Sequence, residues 1–239
     1  MNGFSGKIKI LRLIEGAKQA EGLAVIIDVF RAFSLECYLY SMGIKEIRPV
    51  GSVESAFETA EKISDCILIG ERGGKMCDGF DFGNSPSTVN RDRLKDKTIV
   101  HTTSAGTQGI INASNAQQII TGSLVNAKAI AEYIKQTNPE KVSLVCMGNS
   151  GKSPAPEDEL CAQYIKSLLT GEEITDFSER VNNLRYDGGQ HFFDEKQNHI
   201  FPQKDFFMCT EYDKFDFIIR VNKDELGFIT EKININSKN

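Results

Sequence analysis

Short runs of β-branched and aliphatic residues recur along this chain, each followed by an amphipathic stretch, and few architectures accept that alternation. KIKILRL (Lys7–Leu13), LAVIIDV (Leu23–Val29), KEIRPV (Lys45–Val50), CILIG (Cys66–Gly70), KTIVHTT (Lys97–Thr103), QQIITGS (Gln117–Ser123) and KVSLVCMG (Lys141–Gly148) read as strands. LAVIIDV lacks polar alternation, as strands covered on both faces do. Helical spacing follows at Ser34–Gly43, at Ser52–Ile63 with Ser52 as N-cap, at Asn126–Gln136 and at Glu157–Leu169, with a short helix in SAGTQGI. The alternation predicts an α/β fold, its sheet mainly parallel or mixed, with flanking helices. From Gly171 to about Gln203 the pattern weakens into polar and aromatic residues, content that would suit a lid. KFDFIIRVN (Lys214–Asn222) reads as a late strand and 233–239 as a frayed tail. At 239 residues the expectation is one domain, or two lobes with the site between them, dividing near 112–123 or 171.

In open parallel sheets, ligands bind outside the carboxyl ends of the strands. Polar residues collect where four of these strands end. Asp28, Arg31 and Ser34 follow one strand; Glu71, Arg72, Asp81, Asn84 and Ser85 follow another. Thr102, Thr103, Ser104, Gly106 and Thr107 follow a third, and a loop after the fourth leads to Glu157, Asp158 and Glu159. Gathered carboxylates repel one another, and a hard divalent cation relieves that repulsion. Oxygen ligands without His or Cys favour Mg²⁺ over Zn²⁺. Arg31 and Arg72 suit a bidentate grip on phosphate, and the Thr102–Thr107 turn offers further donors. A metal beside an anion clamp reads as phosphoester chemistry.

Each residue alone also has a structural reading: Asp28 as a turn residue, Glu157–Glu159 as dipole partners after Pro156, Thr102–Thr107 as a cap, the arginines as ion-pair partners. Co-location at one sheet edge is what favours function. The stretch GERGGKMCDGFDFGNSP (Gly70–Pro86) matches neither a Walker A loop nor G-x-G-x-x-G, but its glycines would let backbone approach a small charged ligand.

A net charge of −5 argues against nucleic-acid or anionic-membrane partners. No apolar run approaches the ~20 residues of a membrane span, and MNGFSGKIKI is no apolar leader. Six scattered cysteines without a C-x-x-C pair read as reduced thiols of a cytoplasmic protein. His101, His191 and His199 lack zinc spacing, and His101 reads as a structural residue inside its strand. The expected partner is a small anionic phosphorylated substrate, and a homo-oligomer is left open.

VIIDVFRAFS resembles the opening motif of the 2-phosphosulfolactate phosphatase family, an aliphatic strand followed by D-x-x-R-A-T/S-S. GERGGKMCDGFDFGNSP resembles its most distinctive block, G-E-R-x-G-x-x-x-x-G-F-D-x-G-N-S-P. TTSAGTQGI, SPAPEDELCAQYI and DFFMCTEYDKFDFIIRV are similar to three further segments, so that the likeness runs from about Ala24 to Val221. The resemblance implies a Mg²⁺-dependent hydrolase converting 2-phospho-3-sulfolactate to 3-sulfolactate, a step of coenzyme M biosynthesis. It implies Asp28, Arg31, Glu71, Arg72 and Asp81 as catalytic positions, and Ser34, Asn84, Ser85, Thr102, Thr103, Gly106 and Thr107 as substrate-binding ones. Asp28, Glu71 and an acid among Glu157, Asp158 and Glu159 are expected to hold the metal, and a water or Asp28 itself to attack phosphorus. Phe33 and Gln108 depart from the family pattern where substrate recognition would lie. They motivate one alternative, a phosphatase of another phospho-carboxylic acid; a second is a non-catalytic sensor of a phosphorylated metabolite.

Overall fold

The computed structural model describes residues 4–235. In chain order the elements are β1 (Lys7–Arg12), α1 (Leu13–Lys18), β2 (Gly22–Ile27), α2 (Ala32–Ser41), β3 (Glu46–Pro49), α3 (Val53–Ala60), β4 (Cys66–Arg72), β5 (Lys75–Met76), α4 (Arg91–Leu94), β6 (Thr98–Thr102), α5 (Gly106–Asn112), β7 (Ala116–Gly122), α6 (Ala127–Thr137), β8 (Lys141–Cys146), α7 (Pro156–Thr170), α8 (Phe177–Asn183), α9 (Gln203–Thr210), β9 (Phe217–Asp224) and β10 (Gly227–Asn234). They form two mixed, mostly parallel sheets flanked by helices. The larger has the order β1-β8-β2-β7-β9-β10, with β1, β8, β2 and β7 parallel. The smaller has the order β3-β6-β4-β5, with β3, β6 and β4 parallel.

The apolar run of β2 is central, between β8 and β7, and both its faces are covered. Val25 and Ile27 pack with Ile130 of α6 and Leu160 and Ile165 of α7. Ala24 and Ile26 pack with Ala17 of α1 and Ile110 of α5 on the other face. Each such Ile or Leu contributes about 1.5–3 kcal/mol on burial. Leu35 and Leu39 of α2 share a cluster with Ile47, Ile69 and Ile99 of the small sheet and Phe217 and Ile219 of β9. That helix therefore joins the two sheets.

Ser52 caps α3 as expected, its Oγ accepting from Ser55 N at 3.0 Å. The glycine-rich stretch becomes a hairpin. Arg72 pairs with Lys75, and Gly73 and Gly74 take φ of +60° and +81°, the left-handed geometry of a tight two-residue turn. The small sheet is drawn from residues 46–102, between β2 and β7 in the chain. The 112–123 stretch carries the chain into β7 of the large sheet, and Gly171 ends α7. The tail expected over 233–239 begins inside β10, where Ile233 pairs with Ile218 and Asn234 with Phe217; residues 236–239 lie outside the described residues. The six cysteines are unpaired. Among the described residues, no helix is long and apolar enough to cross a membrane.

Candidate active site

The carboxyl ends of β2, β4, β6 and β8 open on one cavity of ≈ 310 Å³. Asp28, one residue past β2, lines it, and its Oδ1 accepts from Ala32 N at 3.3 Å. A Cβ on Gly106 would lie 2.9 Å from Asp28 Oδ2, so the close approach of α5 needs glycine there. Glu71, in β4, lines the same cavity and spans two turns: its Oε1 accepts from Ser104 N at 2.6 Å and its Oε2 from Gly74 N at 2.7 Å. Glu157, in the first turn of α7, completes the acidic wall, and its Oε2 is buried without a hydrogen-bond partner.

Burial dominates the electrostatics. It pushes the Asp28 carboxyl well above the usual range, reinforced by the charges of Asp158 and Glu71. It lifts Glu157 to about 7, with Asp28 and Asp187 adding to the effect. The permanent cation among the residues lining the cavity is Arg31, and three of its N–H groups are engaged. Its Nη1 donates to Asp205 Oδ2 and to Ile200 O, each at 2.8 Å, and its Nη2 to Gly74 O at 3.0 Å. Its guanidinium lies 4.8 Å from the centre of the Phe201 ring. Arg31 thus ties the glycine hairpin to α9 and the segment before it.

Other expected site residues are held elsewhere. Arg72 donates to Thr102 Oγ1 at 2.9 Å and to Glu71 O at 2.6 Å, and is not among the lining residues. Asp81 accepts from Leu68 N at 3.0 Å and pairs with Arg93, pinning the glycine-rich loop to β4. Ser85 donates to the buried Asp205 at 2.9 Å, and Ser34 to Val29 O at 2.7 Å. Thr103 and Thr107 cap each other: each hydroxyl accepts from the other's N–H, at 2.9 and 3.0 Å. Asn84 does line the cavity.

The three acids of α7 separate, because successive helical residues point about 100° apart. Glu157 faces the cavity. Asp158 turns to the strand ends, accepting from Val29 N at 2.9 Å and Gly148 N at 2.7 Å. Glu159 pairs with Arg12 through contacts of 2.6 and 2.8 Å. Of the carboxylates expected as metal ligands, Asp28, Glu71 and one acid of α7, Glu157, share the cavity; Asp158 and Glu159 do not line it. Among the described residues, no group of three or more His, Cys, Asp or Glu is placed to hold a metal ion.

Sequence reasoning missed Asp205, the Gly148–Ser150 backbone, and His191 and Phe201. The last two come from the 171–203 segment, which supplies a wall of the cavity. Burial, together with the charge of Arg31, holds His191 down to about 4. The two departures from the family pattern do not line the cavity. Phe33 is fully buried in the core against α5, and Gln108 donates to Gly51 O at 2.6 Å.

A cavity at the carboxyl ends of parallel strands, lined by carboxylates of which burial raises Asp28 and Glu157, lies where α/β enzymes bind their ligands. The family model described as 2-phosphosulpholactate phosphatase matches residues 8–224, and the chain belongs to that family. It is similar to proteins named probable 2-phosphosulfolactate phosphatase in several bacteria. The one from Bacillus subtilis (strain 168) is 30% identical over 203 residues, 84% of this chain and 87% of that one. The one from Carboxydothermus hydrogenoformans is 39% identical over 176 residues, 73% and 72% of the two chains. The one from Thermotoga petrophila is 33% identical over 200 residues, 80% and 86%.

Proposed function

We propose that this protein hydrolyses 2-phospho-3-sulfolactate to 3-sulfolactate and phosphate in a Mg²⁺-dependent reaction. The observation that carries the reading is the charge of the cavity. Three carboxylates, Asp28, Glu71 and Glu157, face a space whose permanent cation is already bound to Asp205. A substrate bearing phosphate, sulfonate and carboxylate groups is repelled from such a space unless a counter-charge accompanies it.

The residues present fit a hard divalent ion. Glu157 Oε2 is buried with no partner, and Asp28 beside it is held above its ordinary range by burial and like charge. Oxygen donors from few side chains, with room for a substrate phosphate, match the habits of Mg²⁺. Asp28 and Glu157 would hold the ion, which when bound would supply charge neutralisation and polarisation of the phosphoryl group. Glu71 keeps the Gly73–Gly74 and Ser104 turns in place through its three hydrogen bonds. Phe30 and Phe201 exclude water from the apolar side of the cavity. On this reading Asp28 would act at phosphorus, as nucleophile or by orienting the attacking water.

The relatives' names support the substrate. The case for a different phospho-carboxylic acid rested on Phe33 and Gln108, and neither lines the cavity. The test is phosphate release from 2-phosphosulfolactate by the wild type and Asp28→Asn, with Mg²⁺ or with EDTA. The expected result is turnover by the wild type with Mg²⁺, and a loss of roughly 100-fold or more on chelation or substitution. Activity indifferent to both, or a strong preference for another phosphoester, overturns the reading.

A further inference from the structure

We propose that Glu36 and His101 are positioning residues that turn the side-chain amino group of Asn84 into the cavity, as a hydrogen-bond donor to the anionic substrate. The inference rests on the reading that the anion occupies the cavity lined by Asn84. His101, in β6, is fully buried. Its Nδ1 lies 2.9 Å from Glu36 Oε1, and its Nε2 lies 2.8 Å from Asn84 Oδ1. Glu36, on α2, is also fully buried, and its Oε2 has no partner. Asn84 lines the cavity, and among the described residues its amino group has no hydrogen-bond partner.

Proton counting fixes the direction. A carboxamide oxygen has no proton to give, so Nε2 carries one and donates it to Asn84. One further proton is shared between Nδ1 and Glu36 Oε1. Whichever atom holds it, the pair is neutral overall, which suits a carboxylate whose second oxygen is buried without a donor. With N–H at Nε2 the amide is held with Oδ1 toward the ring, whereas a bare Nε2 would turn it the other way. Both amino hydrogens are then free for the cavity. The flipped amide would present a carbonyl oxygen to a phosphate and repel it. An aliphatic side chain would fill the place of Glu36 under α2 without the cost of burying a carboxyl group. What the acid adds is a partner for Nδ1: with the shared proton held there, the ring can carry N–H at Nε2 as well and hold the amide.

Two measurements test the relay. Long-range ¹H–¹⁵N NMR on the unaltered protein should show His101 Nε2 as protonated, and the Asn84 amino signal should shift when inorganic phosphate and Mg²⁺ are added. An unprotonated Nε2 means the amide is turned the other way and overturns the proposal. This reading holds even if 2-phosphosulfolactate proves not to be the substrate, so the two failures are distinguishable. The second measurement is the KM–kcat split together with the Kd of inorganic phosphate. Asn84→Asp keeps the bond to His101 but faces the anion with an oxygen. His101→Leu releases the amide, while His101→Gln restores an N–H near the place of Nε2. KM and Kd should rise roughly 10-fold or more in the first two, with kcat changed far less, and return most of the way to wild type in His101→Gln. Equal losses in His101→Gln and His101→Leu, or no change in Asn84→Asp, contradict the relay. If His101→Leu fails to fold, the NMR signature and the other two variants still decide.

Discussion

Glu157 keeps its proton to about pH 7 because burial strips water from the carboxyl and Asp28 stands close by. The sign of the consequence follows. An unfolded glutamate ionises near 4.5. As pH rises from there to about 7, the unfolded chain ionises freely and the folded one does not. The stabilisation present at low pH is lost across that window, up to about 3 kcal/mol. His191, held near 4 against an ordinary 6.5, acts in the opposite sense over part of the same range. The comparison that isolates Glu157 is therefore wild type against Glu157→Gln, both in EDTA, by denaturant unfolding. The variant should gain relative stability from pH 4.5 to about 7, and a difference constant with pH contradicts the assignment. At this scale Asp28 and Glu71 were legible because strand ends in α/β proteins aim residues at the crevice. The unsatisfied oxygen of Glu157 was not, since it depends on what surrounds the carboxylate rather than on the residue type.

The first turn of α7 shows the next level. Sequence offers Glu157, Asp158 and Glu159 as equals, and helical geometry assigns them three jobs. Asp158→Asn replaces one acceptor oxygen with a donor facing Val29 N or Gly148 N. It should lower stability by roughly 1–3 kcal/mol while leaving Mg²⁺ affinity within a few-fold. Glu159→Gln removes an exposed pair with Arg12, worth at most about 1 kcal/mol, and should change neither. Denaturant unfolding and Mg²⁺ titration of both variants check this; a folded Asp158→Asn protein without Mg²⁺ affinity would make Asp158 a ligand after all. An unbroken apolar run made β2 readable, and a buried apolar stripe made α6 so. Such patterns failed where burial is not periodic. Helix α1 starts at Leu13 straight from a strand, through a φ of +62°. Helix α9 is held by the Asp205 carboxylate, which bonds Arg31, Ser85 and Ser87, as well as by Phe206 and Cys209 in the core.

At the scale of the whole molecule, the site exists because two sheets deliver their carboxyl ends to one place. Strands β2 and β8 bring Asp28 and the Gly148 loop, while β4 and β6 bring Glu71 and Ser104. The chain alternation made the α/β class evident. It did not show that residues 46–102 form a separate sheet, because pairing partners are set by long-range packing. Nor did it reveal that His191 and Phe201 close the cavity, since polar and aromatic residues without a period carry no address. On the proposed function, Asp28 and Glu157 gather a divalent ion and, with it, a phosphoryl group. A crystal structure of the protein grown with Mg²⁺ and inorganic phosphate tests this most directly. The predicted result is an ion bound by Asp28 and Glu157 and by a phosphate oxygen, with Asp158 still on Val29 and Gly148. An ion held at Glu159 or on the outer surface, with the cavity binding phosphate alone, would contradict it.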